Sequence, residues 1–180
     1  MLPPADDLES AIVRTLTPGP YTAVLRGVNN STGIGVVEVY DLDQAADSEM
    51  ANISTRGFVE TGDNVMIGGF ILGNSGQGSN ILVRGIGPSL TSVGISNALA
   101  NPTLELHDGN GVLLGSNDNW KLNDQSQQSQ ENRIRATMLM PSDDLESAIL
   151  TTLPPGNYTA ILSGKNNGVG VAVVEVYNLH

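Results

Sequence analysis

Along most of this chain apolar and polar positions alternate with the two-residue period of β-strands. Tyr21-Thr22-Ala23-Val24-Leu25-Arg26-Gly27 sets Tyr, Ala and Leu on one side and Thr, Val and Arg on the other. Thr103-Leu104-Glu105-Leu106-His107 alternates as cleanly; Asp108-Gly109-Asn110-Gly111 then supplies residues that accept positive φ, and Val112-Leu113-Leu114-Gly115 returns, so a tight hairpin is expected there. Further strands are expected over 10–16, 34–42, 52–59, 65–72 and 81–88. The run Val65 to Leu72 is continuously apolar, as suits a strand buried on both faces, and Gly68-Gly69 within it marks a bulge or the close approach of another backbone. Turns fall at Pro18-Gly19-Pro20, at Asn29 to Gly33, read as closing a hairpin, at Thr61 to Asn64 and over 74–80. Leu90 to Leu99 reads as a loop with a short helical turn, and the Gln-rich stretch Lys121 to Asn132, without apolar periodicity, as an exposed loop. The fold class expected is all-β, an antiparallel, jelly-roll-like β-sandwich.

The same pattern occurs twice. Residues 1–43 and 138–180, aligned without a gap at an offset of 137, agree at 28 of 43 positions. Asp6-Asp7-Leu8-Glu9-Ser10-Ala11-Ile12 returns as Asp143 to Ile149, and Val36-Val37-Glu38-Val39-Tyr40 as Val173 to Tyr177. A fixed period of this kind sets the frame for the rest. Residues 1–43 are expected to be the C-terminal third of a preceding repeat, an additional three-strand segment; 44–51 a linker; and 52–180 a complete β-sandwich repeat. The chain is accordingly read as a window on a longer tandem array, or as one subunit of an assembly that reproduces it.

Composition narrows the function classes. The net charge is −11 and the eight basic residues are scattered singly, which disfavours a nucleic-acid groove. The absence of Cys excludes disulfides, thiolate metal sites and a Cys nucleophile. No apolar run approaches the roughly 20 residues that span a bilayer, so membrane insertion is not expected. Catalysis is not expected either. His107 lies inside a predicted strand and His180 at the chain end, so neither is set up as a general base, and the adjacency of Asp143 and Asp144 is not by itself a pair of poised carboxylates.

Two binding chemistries remain open. Asp108, Asn110, Asn117 and Asp118, with Asn119, sit on successive turns and offer the hard oxygen ligands that calcium takes, although the spacing is not that of an EF-hand. No other cofactor is expected. Trp120, the single Trp, stands in a polar stretch where it could stack on a sugar ring or plug the end of the sandwich.

The order Leu-Glu-Leu-His-Asp-Gly-Asn-Gly (104–111), Leu-Leu (113–114), Ser-Asn-Asp-Asn-Trp (116–120), Glu-Ser-Ala-Ile (146–149) and Pro-Gly-Asn-Tyr-Thr-Ala-Ile-Leu-Ser-Gly (155–164) resembles the bacterial pre-peptidase C-terminal domains. The resemblance implies an extracellular β-sandwich, some of whose relatives bind calcium near this region, and carries no catalytic residues. The front half, Asn52 to Gly57 through Gly68-Gly69 to Leu90, also looks like a repeat unit of very large secreted bacterial proteins. The expected function is a structural extracellular module that builds a fibre, stalk or surface array by head-to-tail packing or strand complementation. Its partners would be other copies of itself, and Asp6, Asp7, Glu9, Tyr21, Val36, Val37, Val39 and Tyr40 the assembly residues. The alternative is a carbohydrate- or calcium-binding accessory module of a secreted enzyme.

Overall fold

In a computed structural model the chain divides into two compact units, Met1–Glu49 and Met50–His180. Residues 4–42, 50–73 and 78–179 are described. The expected linker at 44–51 lies outside them except for Met50 and Ala51, as does most of the turn expected over 74–80.

Among its described residues the second unit has eight strands: β1 (Asn52–Val59), β2 (Met66–Leu72), β3 (Ser79–Ile86), β4 (Pro102–Asp108), β5 (Leu113–Asn117), β6 (Ser147–Leu153), β7 (Gly156–Gly164) and β8 (Gly170–Asn178), with one α-helix, α1 (Glu131–Ala136), and 3-10 turns at Pro88–Val93 and Lys165–Asn167. They form two antiparallel four-stranded sheets in the orders β1-β8-β3-β6 and β2-β7-β4-β5. This is the jelly-roll order, in which consecutive strands other than β4 and β5 lie in opposite sheets. Only β4 and β5 form a hairpin, as expected from the Asp-Gly-Asn-Gly turn, with a register shift at Leu106/His107.

One expectation about connections is corrected. The turn at 165–168 joins β7 to β8, which lie in different sheets, as the Thr61–Asn64 turn does for β1 and β2. The counterpart of the 165–168 turn, Asn29–Gly33, expected to close a hairpin, has no paired strands beside it among the described residues. Alternation gives each strand one apolar face, and those faces are buried only when two sheets cover each other. Crossing between sheets sets Tyr158, Ala160 and Leu162 on β7 against Ala172, Val174 and Val176 on β8, all in one core. Asn166 and Asn167 adopt left-handed φ of 54° and 60° to make that crossing.

β2 is an edge strand, not a strand buried on both faces. Met66 is buried, whereas Ile67 and Ile71 face outward at 58% and 74% exposure. Gly68 marks neither a bulge nor a backbone approach: the register to β7 is unbroken, and a Cβ there would meet the Val174 side chain of the facing sheet at 3.1 Å. The Lys121–Asn132 stretch is not wholly exposed: the buried Gln130 amide donates to the carbonyls of Trp120, Leu122 and Ala148. These bonds fix the start of α1, which presses Ile134 onto Trp120, Leu82 and Ala148 in a second small core on the outer face of the β1-β8-β3-β6 sheet.

Among the described residues of the first unit there is no strand, and the single regular element is a one-turn 3-10 helix at Val28–Asn30. The three strands expected there form no ladder among the described residues. In the second unit β6, β7 and β8 never pair with one another; their ladders run to β1, β2, β3 and β4.

Candidate functional site: the repeated segment

The second unit displays the repeated segment in its closed state. β8 lies between β1 and β3, and β7 between β2 and β4. Of the ladders in the sandwich, only β4–β5 involves no strand of residues 138–179. Residues 50–137 and 138–179 are thus two interleaved halves, each supplying the backbone partners the other lacks.

Two carboxylates pin the halves together. Glu146 is fully buried; Oε1 accepts from the amides of Gly87 and Ser89 (3.2 and 3.1 Å) and from the Ser89 hydroxyl, while Oε2 accepts from the amides of Ser142 and Asp143 (3.1 and 3.2 Å). Glu175 on β8 receives a fork from Arg84 on β3, Nε at 2.9 Å and Nη2 at 2.5 Å. Arg84 Nη1 donates to the Leu139 carbonyl at 2.6 Å, and its guanidinium lies 5.0 Å from the centre of the Tyr177 ring. Burial, and then the Glu175 charge, push the Tyr177 phenol above its ordinary pKa.

The first copy holds the same local conformation. Glu9 Oε2 accepts from the amides of Ala5 and Asp6 (2.8 and 3.3 Å), and Asp6 Oδ1 from Leu8 N at 2.8 Å, as Asp143 Oδ1 does from Leu145 N at 2.9 Å. The Tyr21 hydroxyl donates to Thr17 O at 2.6 Å, as Tyr158 does to Pro154 O at 2.7 Å. Tyr40 donates to Glu38 Oε1 at 3.1 Å, as Tyr177 does to Glu175 Oε1 at 3.2 Å. Asn29 and Asn30 take φ of 54° and 59°, matching Asn166 and Asn167.

Burial separates the copies. Tyr21, Leu25, Val37 and Val39 are about half exposed, Ile12 and Val36 more so, whereas Tyr158, Leu162, Ile149, Val174 and Val176 are all buried. Every residue buried in 138–179 is the same residue in the first copy, except Ala172, where Gly35 stands. The loop that fills Glu146 Oε1, Gly87 to Ser89, has no counterpart within residues 4–42. The first copy therefore exposes apolar side chains whose counterparts in the second are buried.

The remaining expected site residues are dispersed. Asp7 corresponds to Asp144, which pairs at the surface with Lys121 at 2.6 Å, and Val36 to the half-buried Val173. Asp108 caps its own turn, its carboxylate accepting from Asn110 N and Val112 N, both at 2.9 Å; those bonds, the Val112 amide above all, hold its pKa below the ordinary carboxylate value. Asn110 is exposed at that turn. Asn117, at the opposite end of β5, is buried, accepting from Ala148 N at 2.8 Å and donating to Leu122 O at 2.6 Å. Asp118 is ion-paired with Lys165. Among the described residues no three His, Asp or Glu side chains are grouped to hold a metal. Trp120 is buried rather than presented for stacking; Lys121 and Arg135 lie 5.6 and 5.3 Å from its ring, and Nε1 donates to Asp143 O.

Sequence reasoning did not pick out Glu146 or Arg84; Glu175 stands out, with Glu38, as an acid amid valines that either faces solvent or is paired, but without its partner. The available signal was an acid kept at the same place in both copies of an otherwise apolar segment, Glu9 with Glu146 and Glu38 with Glu175.

No family model matches the chain, and no curated protein matches it. Among solved structures it is similar to the pre-peptidase C-terminal domain of a collagenase from Bacillus anthracis. The identity is 15% and the TM-score 0.42, over 69% of this chain and 88% of that one. Among the described residues no helix is long and apolar enough to cross a membrane.

Proposed function

We propose that this chain is a structural β-sandwich module of an extracellular tandem array, building length as a stalk, fibre or surface lattice, and that residues 1–43 are the closing third of a preceding module. The observation that carries this reading is the first copy's retention of the buried residues of 138–179, in matching local geometry, on a segment whose apolar side chains are exposed. In the second copy the same combination of residues is buried by a sandwich of this kind. Modules with a closed core of their own can be strung as beads, unlike solenoid repeats that depend on neighbours for burial.

The test is to join several copies of residues 44–180, one full period each, and examine the product by electron microscopy and small-angle scattering. Linear strings of uniform globules at one spacing are expected. Irregular clusters, or modules that melt only as a collapsed aggregate, would overturn the reading. Surface exposure on the producing cell, probed by protease shaving, would test the location.

A further inference from the structure

We infer that the partner of residues 4–42 is the β1–β5 half, residues 50–137, of a second module of this kind, which they enter by strand interleaving, with Glu9 seated in its 87–89 loop and Glu38 on its Arg84. The inference rests on the tandem-module reading and adds the partner and its contacts.

The interleaved topology makes the partner specific. In the sandwich the residues of β6, β7 and β8 pair only with β1 to β4, and the first copy carries the same buried residues apart from Gly35. The chain's own half is already closed by residues 138–179, so two donor segments stand against one acceptor and the second acceptor must come from another module. Both polar anchors are preformed. Glu9 holds its local amides as Glu146 does and needs only the two amides and hydroxyl of a Gly-Pro-Ser loop. Glu38, already bonded to Tyr40, stands where Glu175 takes the Arg84 fork.

Where the copies differ, the changes avoid the buried positions except at Ala172, where the first copy has Gly35. Arg26 replaces Ser163 and Val28 replaces Lys165, both outside the core. Entry of the first copy into this chain's own acceptor would leave Asp118 without its lysine. It would also place Arg26 one step along the sheet from Glu105, because Thr103 pairs with Ser163 and Glu105 with Ile161. The acceptor that best suits residues 1–43 therefore carries a neutral residue in place of Asp118.

The full chain provides the test. Residues 138–180 are replaced by the sequence of residues 1–43, so that the first copy must close the sandwich. A single cooperative melt is expected, with Tm within about 10 °C of the parent and raised by Asp118→Asn in the chimera but not in the parent. The substitution Glu146→Ala, at a position that is Glu in both chains, should lower Tm by the same amount in each. A second chimera keeps residues 163–169 of the parent, so that loss of the Lys165 ion pair cannot mask a competent donor. If neither chimera gives a cooperatively melting sandwich, or if Glu146→Ala acts in the parent alone, the partner assignment is overturned. A folded chimera together with irregular tandem copies of residues 44–180 would instead sink the array reading and leave the partner standing.

Discussion

Replacing Glu146 with alanine should be among the most damaging single changes in the sandwich. Its carboxylate is fully buried and accepts from four backbone amides and one hydroxyl, three of these donors belonging to the 87–89 loop and two to residues 142–143. A hydrogen bond to a charged group contributes roughly 1.5–3 kcal/mol net, and such values do not add when donors share one acceptor and water can enter the vacated space. Breaking a buried charged network costs about 3–5 kcal/mol, and that range is expected for Glu146→Ala. Glu146→Gln leaves an oxygen for the 87–89 loop but turns an NH2 towards the amides of Ser142 and Asp143; about 2 kcal/mol is expected. The matched control is Glu9→Ala, whose side chain takes only the Ala5 and Asp6 amides at the surface and should cost no more than about 0.5 kcal/mol in this chain. Urea unfolding followed by circular dichroism and by the fluorescence of the single Trp, Trp120, reads all three variants. A cost below about 1 kcal/mol for Glu146→Ala, or equal costs at Glu9 and Glu146, would refute the reasoning.

Gly85→Ala should destabilise the module by about 1–3 kcal/mol, because a Cβ there would lie 2.5 Å from Ser147 Oγ and 3.0 Å from Leu162 Cδ1; a neutral effect in urea titration would show that the core yields at that point. Arg84→Met strands the Glu175 carboxylate at 14% exposure and should cost about 2 kcal/mol, and a double-mutant cycle with Glu175→Met should recover part of that cost; additive losses would deny the coupling. The hydrogen bond from His107 to Glu105, assisted by Gly111 O and by the charges of Glu105 and Asp108, outweighs partial burial and raises the imidazole pKa above its ordinary value of 6.5. A raised folded-state value favours the protonated ring, so this contribution is fully present below 6.5 and is lost as pH rises through the folded-state pKa. Stability should therefore drop slightly on that rise in the parent and by less in Glu105→Gln, which keeps Gly111 O and Asp108, and an NMR titration of His107 with its midpoint at or below 6.5 would contradict the account.

Much of the fold could be read from the two-residue alternation. The strand segments of the second unit, the all-β class and the β4–β5 hairpin with its Asp-Gly-Asn-Gly turn follow from local residue choice, whereas the strands expected over 10–16, 21–27 and 34–42 do not form ladders in the first unit. Which strands pair did not follow, because Lys165-Asn166-Asn167-Gly168 has the residues of a hairpin turn and instead carries the chain from one sheet to the other. The choice between those outcomes is made by the second sheet, which no local stretch encodes. β2 misled for a related reason: Ile67 and Ile71 are apolar but lie outward on an edge, so an unbroken apolar run did not mean burial on both faces. Gln130 failed in the opposite sense, a polar residue in a polar stretch that is buried because three carbonyls need its amide. The repeated segment was visible from the start as a duplication. Its physical meaning came from the interleaving of β6, β7 and β8 with β1 to β4, which explains why one copy is covered and the other is not.

The most direct test of the claim that residues 1–43 are the closing third of a module is to place a copy of residues 50–137 ahead of the chain and follow hydrogen exchange peptide by peptide. In the chain alone, amides over 10–16, 21–27 and 34–40 should exchange at nearly unprotected rates. With the added half in front, their protection should rise to that of β6, β7 and β8, with opening free energies approaching that of global unfolding. Amides in the first copy that stay unprotected while residues 50–179 remain folded would contradict the account.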